Sequence, residues 1–501
     1  LKLGVLTTGA IVVLLVAAVG GYAWFLNRQI HRVAVNGLTS GPSSSAGTGS
    51  ENILLVGSTS RCDLKVQNPA YGLCSAGVTG VNSDVIMILH LDSTNHSVSI
   101  LSIPRDLFIP NARRAGANKI DAALADGPSQ LVAAIQEDFG IPIQHYVELN
   151  FDSFASVVDA LGGIKMYFPE PVYDAFSGLN VQTTGCVSLD GFHALQVVRA
   201  RHLQYKGPGV TSTNPRSWPQ EAQSDLARIR RDHEFVRVLT TAVSKQGLGN
   251  PLTDRQLVAG VAPQLTVDGG LSSTAMAGLV LGFHAVNPNT APQLTLPVRE
   301  SSSLNYFYRG FDYGNIEFPS QPQDQQVVAQ FLGLRPTAST MSGTALPSPS
   351  SVSVSVLNGT GTANQAADTA SALHALGFNT VGVGDTPSHS TQSETVVYYA
   401  ASSPADEAAA QAVAQSLSGA VILAKGPTSD GAQVTVVTGS DFAVASPPNQ
   451  GQPGATSSPS SAPSVTTTAN STGSFAAPTP ATQALAPWDP RSCTPSGGEG
   501  P

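Results

Sequence analysis

The longest apolar run comes first. Leu3 to Leu26 carries no charged side chain and ends in Tyr22, Trp24 and Phe25. At about 1.5 Å per residue it reaches some 36 Å, enough to cross a hydrocarbon layer about 30 Å thick with tilt. Its aromatic end suits a lipid–water boundary. A cleavable signal peptide is the rival reading, but the run is long and no clear small-x-small site precedes Arg28, which favours an uncleaved transmembrane anchor over 1–27. Lys2 before the run and Arg28 and Arg32 after it leave its orientation open.

After a linker over 28–51, with a Gly/Ser stretch from Gly41 to Ser50, the pattern turns to short apolar strands. Asn52 to Gly57 is a buried-type run ended by glycine, Asp84 to Asp92 is another, and Ser97 to Ile103 alternates until Pro104. Leu131 to Phe139 has helical spacing, and Tyr146 to Leu149 is strand-like. Asp152 is placed to cap a helix running to Leu161, closed by Gly162 and Gly163. Leu189 to Val198 and Ser224 to Ser244 read as further helices, the second long, amphipathic and rich in arginine. Strands interleaved with helices predict a three-layer α/β/α domain on a central mixed sheet over 52–334. Residues 335–351 form a Pro/Ser/Thr linker. The order β-α-β-β-α-β-β follows over 352–442, the pattern of a small α+β domain. Residues 443–501, rich in Pro, Ser, Thr and Ala with few large apolar side chains, are expected to be disordered.

Composition narrows the chemistry. The net charge of −9 argues against a protein built to coat nucleic acid. Arginine is nonetheless concentrated: Arg199, Arg201, Arg216, Arg228, Arg230, Arg231 and Arg237 crowd one region, which points to a local anionic ligand. Cys62 and Cys74 bracket a turn-rich segment, as a disulfide-closed loop would, contributing about 3 kcal/mol in an oxidising compartment. Zinc is the alternative, without a CxxC or paired histidines to support it. Cys186 and Cys493 lie in unlike contexts and are assigned no bond. With the apolar run, the cysteines place the bulk of the chain outside the cytoplasm.

Four stretches suit a phosphate site. In SIPRD, Arg105 and Asp106 directly follow a strand end, where α/β folds bind ligands. Asp84 opens the preceding strand, and antiparallel pairing through the turn at Ser93, Thr94 and Asn95 would bring it to Arg105. Arg199 and Arg201 sit at a helix exit. Asp225, Arg228 and Arg231 recur every three residues and so share a helix face. Guanidinium groups with few carboxylates grip paired phosphate oxygens through two hydrogen bonds, which lysine cannot reproduce. Asp84 is a candidate Mg²⁺ ligand beside such phosphates. The plainer reading is of solvated surface arginines and helix-surface ion pairs contributing only tenths of a kcal/mol. His193, His202 and His233 have no metal-site spacing.

The ordered set NILLVGSTSR, NSDVIMILHLD, SIPRDL, NKIDAALADG, LDGFHALQVVRARH and SDLARIRRDHEFV resembles the LytR-CpsA-Psr family of cell-wall glycopolymer ligases, over roughly Asn52 to Leu334. VSVSVLNGTG to VTVVTGSDF resembles the LytR C-terminal domain found beside it in actinobacteria. The resemblance implies an α/β/α enzyme outside the membrane, with an apolar pocket for a polyprenyl chain. It also implies a Mg²⁺-assisted phosphotransferase that moves a glycan phosphate from a polyprenyl-pyrophosphate donor to a peptidoglycan sugar hydroxyl. On the family's motifs, Arg61, Arg105, Arg199, Arg201, Arg228 and Arg231 match pyrophosphate-binding arginines. Asp84 matches a metal ligand, and Asp106 matches the SIPRD acid; Arg105, Asp106 and Arg228 form the catalytic set. Three positions depart: Thr59 stands where a second metal-binding Asp is usual, Asn82 where Arg is common, and Asp232 where Gln is usual. Asp63 is a possible substitute for the missing carboxylate. A non-catalytic wall- or polyprenyl-phosphate-binding protein, and less readily a transcriptional regulator, are the alternatives.

Overall fold

The computed structural model describes residues 30–40, 49–62, 73–77, 79–222, 224–245, 264–272, 275–276, 291–301, 304–335, 337–341, 343–386, 394–400, 403–445 and 485–493. The proposed anchor over 1–27, most of the Gly/Ser stretch and Asp63 lie outside them. Among the described residues no helix is long and apolar enough to cross a membrane.

The main sheet has seven strands. In chain order they are β1 (His31–Val33), β2 (Ser50–Ser58), β3 (Ser83–Asp92), β4 (Ser97–Ser102), β5 (His145–Leu149), β6 (Thr266–Asp268) and β7 (Gln293–Thr295). They lie side by side as β1-β6-β5-β2-β3-β4-β7. The sheet is mixed: β2, β3 and β4 form an antiparallel meander, while β5 and β7 run parallel to their neighbours β2 and β4. Its helices are α1 (Pro128–Phe139), α2 (Phe151–Ala160), α3 (Gly191–Arg199), α4 (Ser224–Lys245) and α5 (Gln323–Phe331).

Side-chain alternation decides what each face of the sheet does. Leu54 and Val56 on β2, Ile86 and Ile88 on β3, and Leu101 on β4 point to one side. There they join Leu131, Val132 and Ile135 of α1 and Val327, Val328 and Phe331 of α5 in the largest apolar cluster. Leu55, Val85, Met87, Val147 and Leu149 point to the other side, toward α2, α3 and α4. These helices have their own core, in which Val158, Leu195, Val198 and Phe235 meet Ile164, Met166 and Phe168. Apolar layers thus lie on both sides of a central mixed sheet.

Local chemistry sets the helix ends near where the pattern placed them, but α1 starts three residues earlier, at Pro128, and α5 was not expected. Asn150, not Asp152, caps α2: its side chain accepts from the Ser153 amide at 2.9 Å. Asp152 falls inside the first turn, where its charge still complements the helix dipole. Asp190 caps α3 by accepting from the His193 amide.

Three boundaries differ from the sequence reading. Residues 30–40, inside the expected 28–51 linker, are built into the main domain. β1 pairs with β6, Ile30 is buried against Val267 and Leu271, and Thr39 bonds through both its amide and its hydroxyl to the Ile143 carbonyl. The second unit contains Ser353–Asn358, α6 (Gln365–Ala375), Asn379–Asp385, Thr395–Tyr399, α7 (Pro404–Ala414), Leu417–Lys425 and Val434–Thr438. It is not a separate bead: Ser320 and Gln321 pair with Ala420 and Gly419, so its sheet continues into strands before the linker. Val396, Ile422 and Ala424 also enter the large cluster under the main sheet.

The third correction concerns the expected 443–501 disordered tail. Residues 485–493 return to the main domain. Arg491 and Ser492 pair with Tyr167 and Met166, Trp488 stacks on Tyr205 at 4.0 Å, and Cys493 is bonded to Cys186. A low apolar content across a whole segment conceals one Trp and one Cys that have specific partners. Cys62 and Cys74 are bonded to each other.

Candidate functional site

The outward-alternating residues of β2, β3 and β5 do not pack directly on the helices. A cavity of about 510 Å³ separates them, walled by Leu55, Val85, Met87, Val147 and Leu149 on one side and by Phe154, Val157, Leu195, Val198, Phe235 and Leu239 on the other. Its polar lining includes Asp84, Arg199, Arg201, Arg228 and Asp232. Such a chamber suits an amphiphile: a long apolar tail between sheet and helices, and an anionic head among the guanidinium groups.

Chain topology assembles the polar group. The β3–β4 pairing aligns Met87 with Ser102, so Asp84 at the start of β3 meets Arg105 just past β4, and the two form an ion pair. Arg105 also lies 3.6 Å from Asp106 and 3.8 Å from Asp225. Asp106 accepts from Arg201 at 2.7 Å and from Lys119 at 2.9 Å. Asp225, in the first turn of α4, lies 3.2 Å from both Arg201 and Arg228 and is the hub of the cluster. The Nε groups of Arg105, Arg201 and Arg228 are buried and donate no hydrogen bond among the described residues, although carboxylates lie within ion-pair distance. Buried donors of that kind call for an acceptor, and a phosphate oxygen can supply it.

The cluster is not the carboxylate-poor basic focus that the sequence suggested. Arg105, Arg201 and Arg228 all have carboxylate company, and buried carboxyls beside them carry protons into the neutral range. Burial pushes Asp232 up to about 7 against the pull of Arg228 and Arg231. Burial likewise raises Asp121 to about 7 against Arg105. The net field is therefore more positive near neutral pH than a count of acids would give.

The expected site residues separate into those brought together and those that are not. Arg105, Asp106, Arg199, Arg201, Arg228 and Asp84 converge. Arg61 lies beside them: it and Arg199 both sit over the Phe151 ring, at 5.8 and 4.8 Å. Arg231 is not brought to the cavity with them. It is fully buried, and it grips Glu221 through both terminal nitrogens at 2.6 and 2.9 Å, the Ala200 carbonyl at 2.6 Å and Asp489 at 3.3 Å. A helix turns about 100° per residue, so steps of three drift backward by about 60° each. Asp225 and Arg228 stay on the cavity side, Asp232 restores the phase, and Arg231 turns away.

The donor set for magnesium is narrow. Among the described residues no group of three or more His, Cys, Asp or Glu could hold a metal by itself. Thr59, in the place of a second carboxylate, uses its hydroxyl to bond the Asn82 amide and carbonyl. Asp84 alone fits Mg²⁺ only where phosphate oxygens complete the shell and Arg105 turns to the phosphate. His202 and Phe176, also on the cavity wall, carried no sequence signal of their own. Lys119 and Asp121 were visible only as part of NKIDAALADG.

Comparison with known proteins agrees with this geometry. The model of the LytR_cpsA_psr family matches residues 27–318, and that of the LytR cell envelope-related transcriptional attenuator matches 351–442. The chain is 33% identical over 284 residues to the probable cell wall biosynthesis protein LcpB of Corynebacterium glutamicum, covering 56% of this chain and 61% of that protein. It is 26% identical over 476 residues to the cell wall biosynthesis protein LcpA of the same organism, covering 87% and 86%. A polyisoprenyl-teichoic acid–peptidoglycan teichoic acid transferase, TagU of Halalkalibacterium halodurans, is 36% identical over 111 residues, covering 21% of this chain and 36% of that protein. With more than half its length matched by the family model and that family's motifs gathered at one cavity, the chain belongs to the LytR-CpsA-Psr family.

Proposed function

We propose that the protein is a phosphotransferase of cell-wall assembly. It takes a glycan phosphate from a polyprenyl-pyrophosphate-linked glycopolymer and joins it to a sugar hydroxyl of peptidoglycan. It works outside the cytoplasm, tethered to the cell membrane by the run 3–26. The observation that carries this reading is the apolar cavity with Arg199, Arg201 and Arg228 in its polar lining. The LcpA, LcpB and TagU names point the same way.

In this reading the polyprenyl chain lies between the sheet and α2–α4, which excludes water from the head group. Arg199, Arg201 and Arg228 hold the pyrophosphate oxygens, and Arg105 leaves Asp84 to join them. Phosphoryl transfer needs mainly positioning and charge neutralisation, which fixed guanidinium groups in a desolvated site supply. Asp84 would hold Mg²⁺ beside the phosphates, where the ion would supply further neutralisation. Asp106, fixed by Lys119 and Arg201, is placed to take the acceptor's proton.

The test is release of polyprenyl monophosphate from a synthetic donor by the full chain in detergent, with a peptidoglycan fragment and Mg²⁺. Release coupled to glycan transfer is expected, and Asp84→Asn should raise the Mg²⁺ concentration required. Retention of the intact donor without release by the folded chain would identify a binding protein instead.

A further inference from the structure

A second cavity, of about 540 Å³, opens beside the ion-pair cluster and is predominantly polar. Its walls include Arg105 and Asp106, while their partners Asp84 and Arg201 line the apolar chamber. The Arg105–Asp84 and Asp106–Arg201 pairs therefore form the partition between the two spaces.

We infer that the polar cavity is the acceptor subsite and takes a pyranose of the acceptor glycan, its ring against Phe311 and Tyr313 and one hydroxyl at the Arg105–Asp106 partition. The inference rests on the transfer reading and adds to it the place of the second substrate.

Stereochemistry supplies the first argument. Phosphoryl transfer runs with the attacking and leaving oxygens roughly in line. The leaving group is polyprenyl phosphate, whose tail occupies the apolar chamber, so the nucleophile must arrive from across the partition. The acceptor hydroxyl oxygen then bonds to the glycan-bearing phosphorus. The bond from that phosphorus to the bridging oxygen breaks, and polyprenyl phosphate leaves with the electron pair. The hydroxyl proton passes to the Asp106 carboxylate.

Recognition chemistry supplies the second. Phe311 is 68% exposed, on the hairpin Phe307–Tyr308 and Phe311–Asp312. Tyr313 beside it is held by an edge contact to Phe108 at 5.0 Å and by donation to the Ala117 carbonyl. A pyranose has an apolar C–H face that covers such rings and an edge of hydroxyls for Asn82, Asn118 and Asp312. Lys119 and Arg105, the cations of this cavity, are already paired with carboxylates, so the space favours a neutral polyol over a free anion. Its volume lies within the range of about 300–1,000 Å³ usual for small-molecule sites.

The experiment uses the full chain in detergent with a soluble four-sugar peptidoglycan fragment. Direct titration of the fragment, without donor, should show binding that Phe311→Ala weakens at least tenfold and Asn118→Ala weakens severalfold, with melting temperatures unchanged because Phe311 is exposed. With synthetic donor present, the ratio of transfer to hydrolysis at fixed fragment concentration should fall about tenfold in Phe311→Ala. A fragment that does not bind the folded wild type, or that binds Phe311→Ala equally well, overturns the subsite. Phe311-dependent binding without any release of polyprenyl phosphate overturns the transfer reading and leaves the glycan subsite standing.

Discussion

Three positions along α4 separate two uses of the same side chain. Arg228 meets Asp225 and Asp232 at the cavity, and Arg231 locks onto Glu221 and Asp489 in the interior. Lysine keeps the charge at either position but loses the planar fork. Arg231→Lys should destabilise the protein by about 1–3 kcal/mol, because a single ammonium leaves buried acceptors of Glu221, Asp489 and Ala200 without their hydrogen bonds. Arg199 stands over the Phe151 ring in the cavity lining. Arg199→Lys should lower transfer by roughly thirty- to a thousandfold, the equivalent of about 2–4 kcal/mol of transition-state stabilisation, with little change in the melt. Urea melts beside transfer kinetics check both; a full loss of activity in a normally stable Arg231→Lys would return that residue to the site. The sequence shows seven clustered arginines and cannot sort them, since only the fold brings Glu221, the Ala200 carbonyl and Asp489, the last 258 residues away, around Arg231.

At the scale of elements, β2–β5 and α1–α4 were legible because each obeys a local period, whereas the short β1, β6 and β7 were not, and the β3–β4 direction that joins Asp84 to Arg105 is fixed by the fold. The connection between the units was not legible either. Its Pro/Ser/Thr composition suggests a free linker, yet Ser339 donates to Glu407 at 2.9 Å and the Thr340 amide to Gln411 at 3.1 Å. Gly140, which ends α1 at φ +64°, makes room for them: a Cβ there would collide with Thr340, Glu407 and Gln411. Burial pushes the Glu407 carboxyl up to about 7, with the Ser339 and Gln411 hydrogen bonds opposing it. The folded protein then keeps a proton that the unfolded chain releases near pH 4.5, so this group lowers stability as pH rises from about 4.5 to 7. Glu407→Gln cannot titrate and should gain on the wild type across that window, by about 3 kcal/mol in all. Urea melts at pH 5 and pH 8 measure the gap. A gap that does not widen would show that the carboxyl is ionised throughout.

Across the whole molecule, the wall of the lipid chamber depends on residues near the end of the chain. α4 forms part of that wall, and residues 485–493 lie along it. Asp489 is fully buried beside Arg230 and Arg231, the Ser492 amide donates to Glu234 at 2.6 Å, and Cys493 closes a loop of 307 residues to Cys186. Composition hid this strap, because its contacts are long-range and few. A cross-link over so long a loop removes much unfolded-chain entropy, about 6 kcal/mol on the chain-entropy account, whereas the 12-residue separation of Cys62 and Cys74 corresponds to about 3 kcal/mol. Reductant should therefore lower the melting temperature of the full chain by considerably more than that of Cys493→Ser, which retains only the short bridge. A chain cut after Val444 should melt below Cys493→Ser even when both are reduced, since it also loses Asp489 and leaves Arg230 and Arg231 with Glu221 alone. Thermal melts of the three chains with and without reductant decide it. Equal reductant shifts in the full chain and Cys493→Ser would mean that the long bridge adds nothing. Equal reduced melts for Cys493→Ser and the cut chain would mean that the strap contributes nothing to holding α4.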